Sequence, residues 1–127
     1  MAKKVLLIDD EEEFTTTLAE RLTLRGFDVK YAFDGEGGLM ELEQWQPDIV
    51  ILDILMPGIS GTEVLKRIKR QFPELPVILL SGHGSVRDAI EGMKYGAVDF
   101  LMKPVDITEL TAKIQHYLHQ KNSQETP

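Results

Sequence analysis

The stretch PDIVILDILMPGISG, residues 47–61, decides the fold class of this chain. Its centre, Ile49 to Leu52, is an unbroken apolar run that ends at a single acid, Asp53. A short continuous run of this kind indicates a strand buried on both faces, as in the parallel sheet of an α/β protein. Asp53 follows this strand directly, so we expect its carboxylate where the strand leaves the core.

Four more apolar runs repeat this pattern along the chain. The predicted strands span residues 5–8, 27–32, 49–52, 77–80 and 98–102. Helical spacing between and after them predicts five core-facing stripes: Phe14, Leu18 and Leu22; Leu39 and Leu42; Val64, Leu65, Ile68 and Phe72; Val86, Ile90 and Met93; and Ile107, Leu110, Ile114 and Tyr117. Strict alternation of strands and helices predicts an α/β fold, a doubly wound parallel five-stranded sheet with helices on both faces.

The bulk composition limits the class of protein. The 127 residues suffice for one domain with its own core, and the absence of cysteine excludes disulfides and thiolate metal sites. No apolar run approaches the length of a membrane span, and we expect a cytoplasmic protein with no membrane contact. The formal net charge of -7 argues against direct nucleic acid binding by this domain. We place the domain at residues 1–122 and a polar tail or linker at residues 123–127.

Polar side chains follow four of the five predicted strands. Asp9 and Asp10 follow the first strand, Asp53 the third, Ser81 the fourth and Lys103 the fifth. Ligands of open parallel sheets bind at the carboxyl ends of the strands, so we expect these groups to converge. Clustered carboxylates call for a hard cation such as Mg²⁺, which binds oxygen ligands. An aspartate can attack phosphorus, and a lysine can bind a phosphoryl oxygen.

Each of these residues also has an ordinary structural interpretation. Asp9 and Asp10 could cap the following helix, and Lys103 could be an exposed surface lysine. For Glu11 to Glu13 we prefer such an interpretation, as first-turn charges on a solvated helix face. For the other residues, the ordinary interpretations would all have to hold at one edge of one sheet, which favours a functional site.

Several motifs together resemble one known family. Over roughly residues 3 to 120, the chain is similar to the receiver domain of two-component response regulators. Four motifs carry this resemblance, in this order: the acidic pair after the first strand, then DIVILDILMPGISG, ILLSGHG and GAVDFLMKP. The SGHG and AVDF segments are most similar to receivers of transcriptional regulators. The resemblance implies a flavodoxin-like (βα)5 sheet with strand order 2-1-3-4-5. It also implies a regulatory phosphoacceptor that acts on no free substrate, receives a phosphoryl group from a sensor histidine kinase or phosphotransfer protein, and controls an output domain or partner.

The resemblance implies a role for each matching residue near the acidic pair. Asp53 would be the phosphoacceptor. Asp10 and Asp53 would bind Mg²⁺, or Mn²⁺ in its place, with Asp9 acting mostly through water. The backbone carbonyl of Leu55 would be a further metal ligand.

The same resemblance implies a switch. Ser81 and Lys103 would contact the phosphoryl group, and the Lys103–Pro104 peptide bond would be cis. Movement of Ser81 would let the Phe100 ring turn inward and change the surface of the fourth helix, fifth strand and fifth helix. Homodimerisation through that surface is a further expectation.

Two positions should border the water that hydrolyses an aspartyl-phosphate. Leu55 is two residues after Asp53, and His83 is two after Ser81. Because Leu55 is apolar and cannot orient water, we expect slow self-dephosphorylation.

Three other functions deserve comparison. A flavodoxin-type FMN protein would want a Ser/Thr/Gly-rich loop where this chain has DDEEEF. A phosphatase of the haloacid dehalogenase kind would need a second aspartate at Leu55. A pseudo-receiver that has lost phosphorylation stays open, although all expected site residues are present.

Overall fold

The computed structural model describes residues 1–82 and 86–125, and the side chains of that part up to residue 120. Five strands alternate with five helices within it. Their bounds are β1 Lys4–Ile8, α1 Glu12–Leu24, β2 Asp28–Ala32, α2 Gly35–Gln44, β3 Ile49–Asp53, α3 Gly61–Gln71, β4 Val77–Ser81, α4 Val86–Lys94, β5 Asp99–Met102 and α5 Ile107–Glu125. All strand pairings are parallel and the order is β2-β1-β3-β4-β5. The predicted flavodoxin-like fold is confirmed.

The sheet separates two hydrophobic cores because successive strand residues point to opposite faces. In β3, Ile49 and Ile51 pack with α1 and α5, whereas Val50 and Leu52 pack with α2 and α3. Every residue of β3 and β4 is buried, which explains why these segments are continuous apolar runs in the sequence. This burial fixes the carboxyl ends of the central strands, where Asp53 lies.

The predicted packing of α4 is wrong. The three residues expected to face the core are exposed by 38–50%: Val86, Ile90 and Met93. The helix instead packs on the sheet through Ala89 and Gly92, which are buried. A Cβ added to Gly92 would lie 2.1 Å from Leu79 Cδ1, so the helix approaches the sheet too closely for a larger side chain. The longer apolar side chains of α4 therefore face outward.

The last helix extends into the polar end of the sequence. α5 continues through Glu125, into the residues that we assigned to a polar tail or linker. Residues 120, 121, 124 and 125 are Gln, Lys, Gln and Glu, which favour helix without needing core contacts. Within the described residues, no helix combines the length and the apolar character needed to cross a membrane.

Candidate functional site

Three carboxylates meet at the carboxyl edge of the sheet. Asp9 and Asp10 follow β1, and Asp53 is the last residue of β3. One oxygen from each carboxylate lies within 4.8 Å of the others. The side chains of Asp9 and Asp53 are only 3% and 5% exposed, and Asp10 is half-buried. The convergence expected from the strand ends is therefore present.

Lys103 brings a positive charge to these carboxylates. Its Nζ lies 2.9 Å from Asp9 Oδ2 and 3.6 Å from Asp53 Oδ2. Its backbone N–H donates to the carbonyl of Ser81, which ends β4 and is fully buried. The peptide bond between Lys103 and Pro104 is cis, the isomer that the resemblance implied. One ammonium thus faces two buried carboxylates.

This compensation is incomplete at Asp53. Burial and the neighbouring charge of Asp9 raise the pKa of Asp53 to about 7, although the Lys103 ammonium and the Leu55 N–H act in the opposite direction. The Leu55 N–H donates to Asp53 Oδ1 at 3.1 Å. The isolated site therefore holds more negative charge than its surroundings stabilise.

The raised pKa of Asp53 predicts a loss of stability as the pH rises without divalent cations. The unfolded chain releases this proton near the ordinary pKa of 3.8, whereas the folded chain keeps it until about 7. Asp53 therefore stabilises the fold below pH 4, and this contribution falls as the pH rises from about 4 to 7. We therefore compare the free energy of unfolding of Asp53→Asn with that of the native chain at pH 5 and at pH 8. We expect this difference to move in favour of Asp53→Asn by about 2 kcal/mol from pH 5 to pH 8. Urea unfolding in chelator at both pH values measures this gain, and equal differences at the two would contradict the assignment.

The donor set suits a hard divalent cation. Asp9 Oδ2 is buried and no described residue places a well-aligned hydrogen-bond donor on it; the Lys103 ammonium, 2.9 Å away, is its partner in an ion pair. Three carboxylate groups with converging oxygens would provide the oxygen ligands that Mg²⁺ prefers, and water could complete its coordination. The acidic pocket is thus compatible with Mg²⁺.

A groove of about 1080 Å³ opens from these carboxylates along α1. Asp10 and Asp53 lie at its acidic end. Phe14 and Leu18 of α1 and Ile107 of α5 also line it. The site is therefore accessible to a group that approaches along α1.

Our sequence interpretation of Glu11 needs correction. We placed Glu11 with Glu12 and Glu13 as a solvated charge, but its carboxylate makes an ion pair and hydrogen bond with the Lys103 ammonium. The Phe14 ring also lies under this ammonium, with its centroid 4.5 Å from Nζ. The contact between Glu11 and Lys103 joins positions 92 residues apart, and no local sequence pattern reports such a contact.

Gly61 is a second residue whose importance sequence reasoning missed. It begins α3, and its N–H donates to the carbonyl of Ile54. A Cβ at this position would lie 2.4 Å from the backbone oxygen of Asp53. The only signal in the sequence is that the last residue of PGISG is a glycine, and a glycine there indicates a turn as readily as close packing.

The remaining predicted site residues lie around this centre. The Leu55 side chain is 49% exposed and lines the groove beside Asp53. Phe100, in β5, is partly buried against the core of the α2 and α3 face. His83 lies outside the described residues.

The sequence matches the response regulator receiver domain family over residues 5–115. The chain belongs to this family. Receiver domains are regulatory modules of two-component systems, which agrees with an acidic pocket at the carboxyl edge of a (βα)5 sheet.

Solved structures of receiver domains agree with this membership. NtrX from Brucella abortus in complex with ATP is 33% identical with a TM-score of 0.93, and the match covers 98% of this chain and 29% of that chain. The receiver domain of NtrX from the same organism is 34% identical over 91% of this chain and 98% of that chain, with a TM-score of 0.87. A CheY-like receiver domain protein from Methanospirillum hungatei JF-1 is 26% identical over 98% and 99%, with a TM-score of 0.92. This chain therefore spans less than a third of the longer NtrX chain.

Proposed function

We propose that this domain accepts a phosphoryl group on Asp53 from a sensor histidine kinase or a phosphotransfer protein, with Mg²⁺ bound. The observation that carries the proposal is the position of Asp53, which is buried beside two other carboxylates and within 3.6 Å of the Lys103 ammonium. The groove along α1 leaves this centre open to a donor.

The residues of the chain would divide the work of phosphoryl transfer. A carboxylate oxygen of Asp53 forms the new bond to phosphorus, while the bond from phosphorus to the donor nitrogen breaks and that nitrogen keeps the electron pair. Lys103 and the Ser81 hydroxyl bind phosphoryl oxygens. Asp9, Asp10, Asp53 and the Leu55 carbonyl would hold the metal ion, directly or through water. When bound, Mg²⁺ would neutralise part of the charge of the carboxylates and the phosphoryl group.

Phosphorylation would then bias a two-state surface made of α4, β5 and α5. Ser81 moves toward the phosphoryl group, and the Phe100 ring turns inward. The exposed apolar side chains of α4 are Val86, Ile90 and Met93. They support this surface as a contact for a partner, because exposed apolar residues in one stripe favour association. An output domain, a separate target protein or a second copy of the domain would receive the signal there.

The wider setting is part of the same proposal. The NtrX chain is more than three times as long as the segment matched here, so a receiver of this type can be joined to further domains in one chain. We propose a cytoplasmic role in the control of transcription through such an output domain. The net charge of -7 supports regulation through protein contacts and not through nucleic acid contacts by this domain.

The test of the proposed function is the intact mass of the native chain after incubation with acetyl phosphate. We expect an increment of one phosphoryl group that requires Mg²⁺ or Mn²⁺ and disappears in chelator. Alkaline hydroxylamine should remove it, because that reagent cleaves acyl phosphates. A native chain that gains no mass with metal present would favour the pseudo-receiver.

The lifetime of the phosphoryl group should depend on Leu55. This exposed apolar side chain lies beside Asp53 and cannot hold a water molecule for attack. We expect slow decay in the native chain and roughly tenfold faster decay in Leu55→Asn, which can orient water. Decay of the mass increment after removal of acetyl phosphate measures both rates, with Leu24→Asn as a control at an exposed leucine on α1. Equal rates for native and Leu55→Asn would show that Leu55 does not limit hydrolysis.

A further inference from the structure

The Lys103 ammonium lies between two environments in the unphosphorylated domain. On the inner side are the buried carboxylates of Asp9 and Asp53, at 2.9 and 3.6 Å. On the side of α1 are the Glu11 carboxylate, which pairs with it directly, and the Phe14 ring at 4.5 Å. Asp9 and Glu11 lie in the loop between β1 and α1, and Phe14 lies on α1, so three of its close partners come from one segment of the chain. Asp53 is more distant than Asp9.

The base of the lysine side chain is fixed, so only its tip can change partner. The Lys103 N–H donates to the Ser81 carbonyl at 2.8 Å. Its Cδ lies 3.8 Å from where a Cβ of Gly82 would be, so the stem runs along the backbone after β4. Rotation about the last side-chain bonds can move the ammonium between Glu11 and Asp53 without moving the backbone.

We propose that Glu11 is a positioning residue that holds the Lys103 ammonium on the α1 side of the site until a phosphoryl group on Asp53 draws it away. This inference rests on the proposed function. Glu11 differs from the other carboxylate partners because its side chain is 58% exposed. Because this carboxylate lies largely in solvent, its ion pair contributes little to folding, so Glu11 can favour the unphosphorylated state without being needed for the fold.

The consequence is a competition for one cation. A phosphoryl group adds negative charge beside Asp53, and Lys103 must leave Glu11 to bind it fully. The Glu11 contact therefore stabilises the unphosphorylated state relative to the phosphorylated one. Exposed ion pairs contribute about 0.2–1 kcal/mol, which corresponds to a shift of about 1.4-fold to fivefold in affinity for a phosphoryl mimic.

The test uses beryllofluoride with Mg²⁺ as the phosphoryl mimic and follows the bound species by ¹⁹F NMR. Glu11→Gln should bind it about 1.4-fold to fivefold more tightly than the native chain. Glu12→Gln is the matched control, because it removes the same charge from the next position, and its carboxylate makes no ion pair with any described residue. Glu11→Asp keeps the charge but shortens the reach, and should resemble Glu11→Gln if direct contact is what matters.

The outcomes separate the positioning role from the proposed function. A native chain that binds no beryllofluoride would overturn the phosphoacceptor function and this role with it. Native binding with an unchanged affinity in Glu11→Gln would overturn only the role of Glu11. Equal gains in Glu11→Gln and Glu12→Gln, or a native-like Glu11→Asp, would assign the effect to general charge and also overturn it. Thermal unfolding of each variant verifies that it is folded.

Discussion

Replacing Asp53 with asparagine is expected to abolish phosphoryl incorporation from acetyl phosphate. The amide oxygen is a poor nucleophile and would not form a stable acyl phosphate, whereas the shape of the buried site is nearly kept. Asp53 is the only one of the three clustered acids that ends a central strand, and its side chain is 5% exposed. We expect intact mass spectrometry to show the phosphoryl increment in the native chain and none in Asp53→Asn.

A matched control makes this result specific to the site. Asp28 is an exposed aspartate that opens β2, at the opposite edge of the parallel sheet. Asp28→Asn removes one carboxylate from the chain and should acquire the increment as the native chain does. An increment that persists in Asp53→Asn would move the acceptor to another carboxylate, and peptide mapping would then be directed first at Asp10.

The parts of this structure that sequence could predict are those with a local or periodic signal. The apolar runs of β3 and β4 report burial on both faces, and the polar residue after each strand reports the edge where it emerges. For this reason the sequence predicts that Asp9, Asp53 and Lys103 lie together at one edge of the sheet. The distances between these side chains and the raised pKa of Asp53 depend on how the strands pack together. No local pattern in the sequence reports that packing.

The failures have a common physical cause, which is tertiary contact without a local pattern. In α4 the apolar stripe was a correct observation, but Gly92 packs so closely on Leu79 that the helix presents its small residues to the sheet. Periodicity cannot tell which of two candidate faces is buried when one consists of Ala and Gly. Glu11 was misread in the same way, because its partner Lys103 is brought near only by the sheet.

Gly61→Ala is expected to destabilise the domain strongly and to weaken the Mg²⁺ binding that we propose for the acidic pocket. The added Cβ would lie 2.4 Å from the backbone oxygen of Asp53 and 2.5 Å from the Cα of Ile54. Neither atom can rotate away as a side chain can, so either α3 or the end of β3 must shift. Overpacking of this kind costs about 3 kcal/mol. Because the shifted backbone carries Asp53, we also expect Mg²⁺ affinity to fall about tenfold.

Gly58→Ala separates this clash from the cost of losing a glycine. Gly58 lies in the same loop with a φ of +78°, and a Cβ there would meet no atom within 4 Å. Its substitution should cost only the conformational penalty of an L-residue in the left-handed region, about 1 kcal/mol, and should leave Mg²⁺ affinity unchanged. Urea unfolding and Mg²⁺ titration of both variants measure the difference. If Gly61→Ala were no less stable than Gly58→Ala, contact between α3 and the Asp53 backbone would not be what fixes Asp53 at the edge of the sheet.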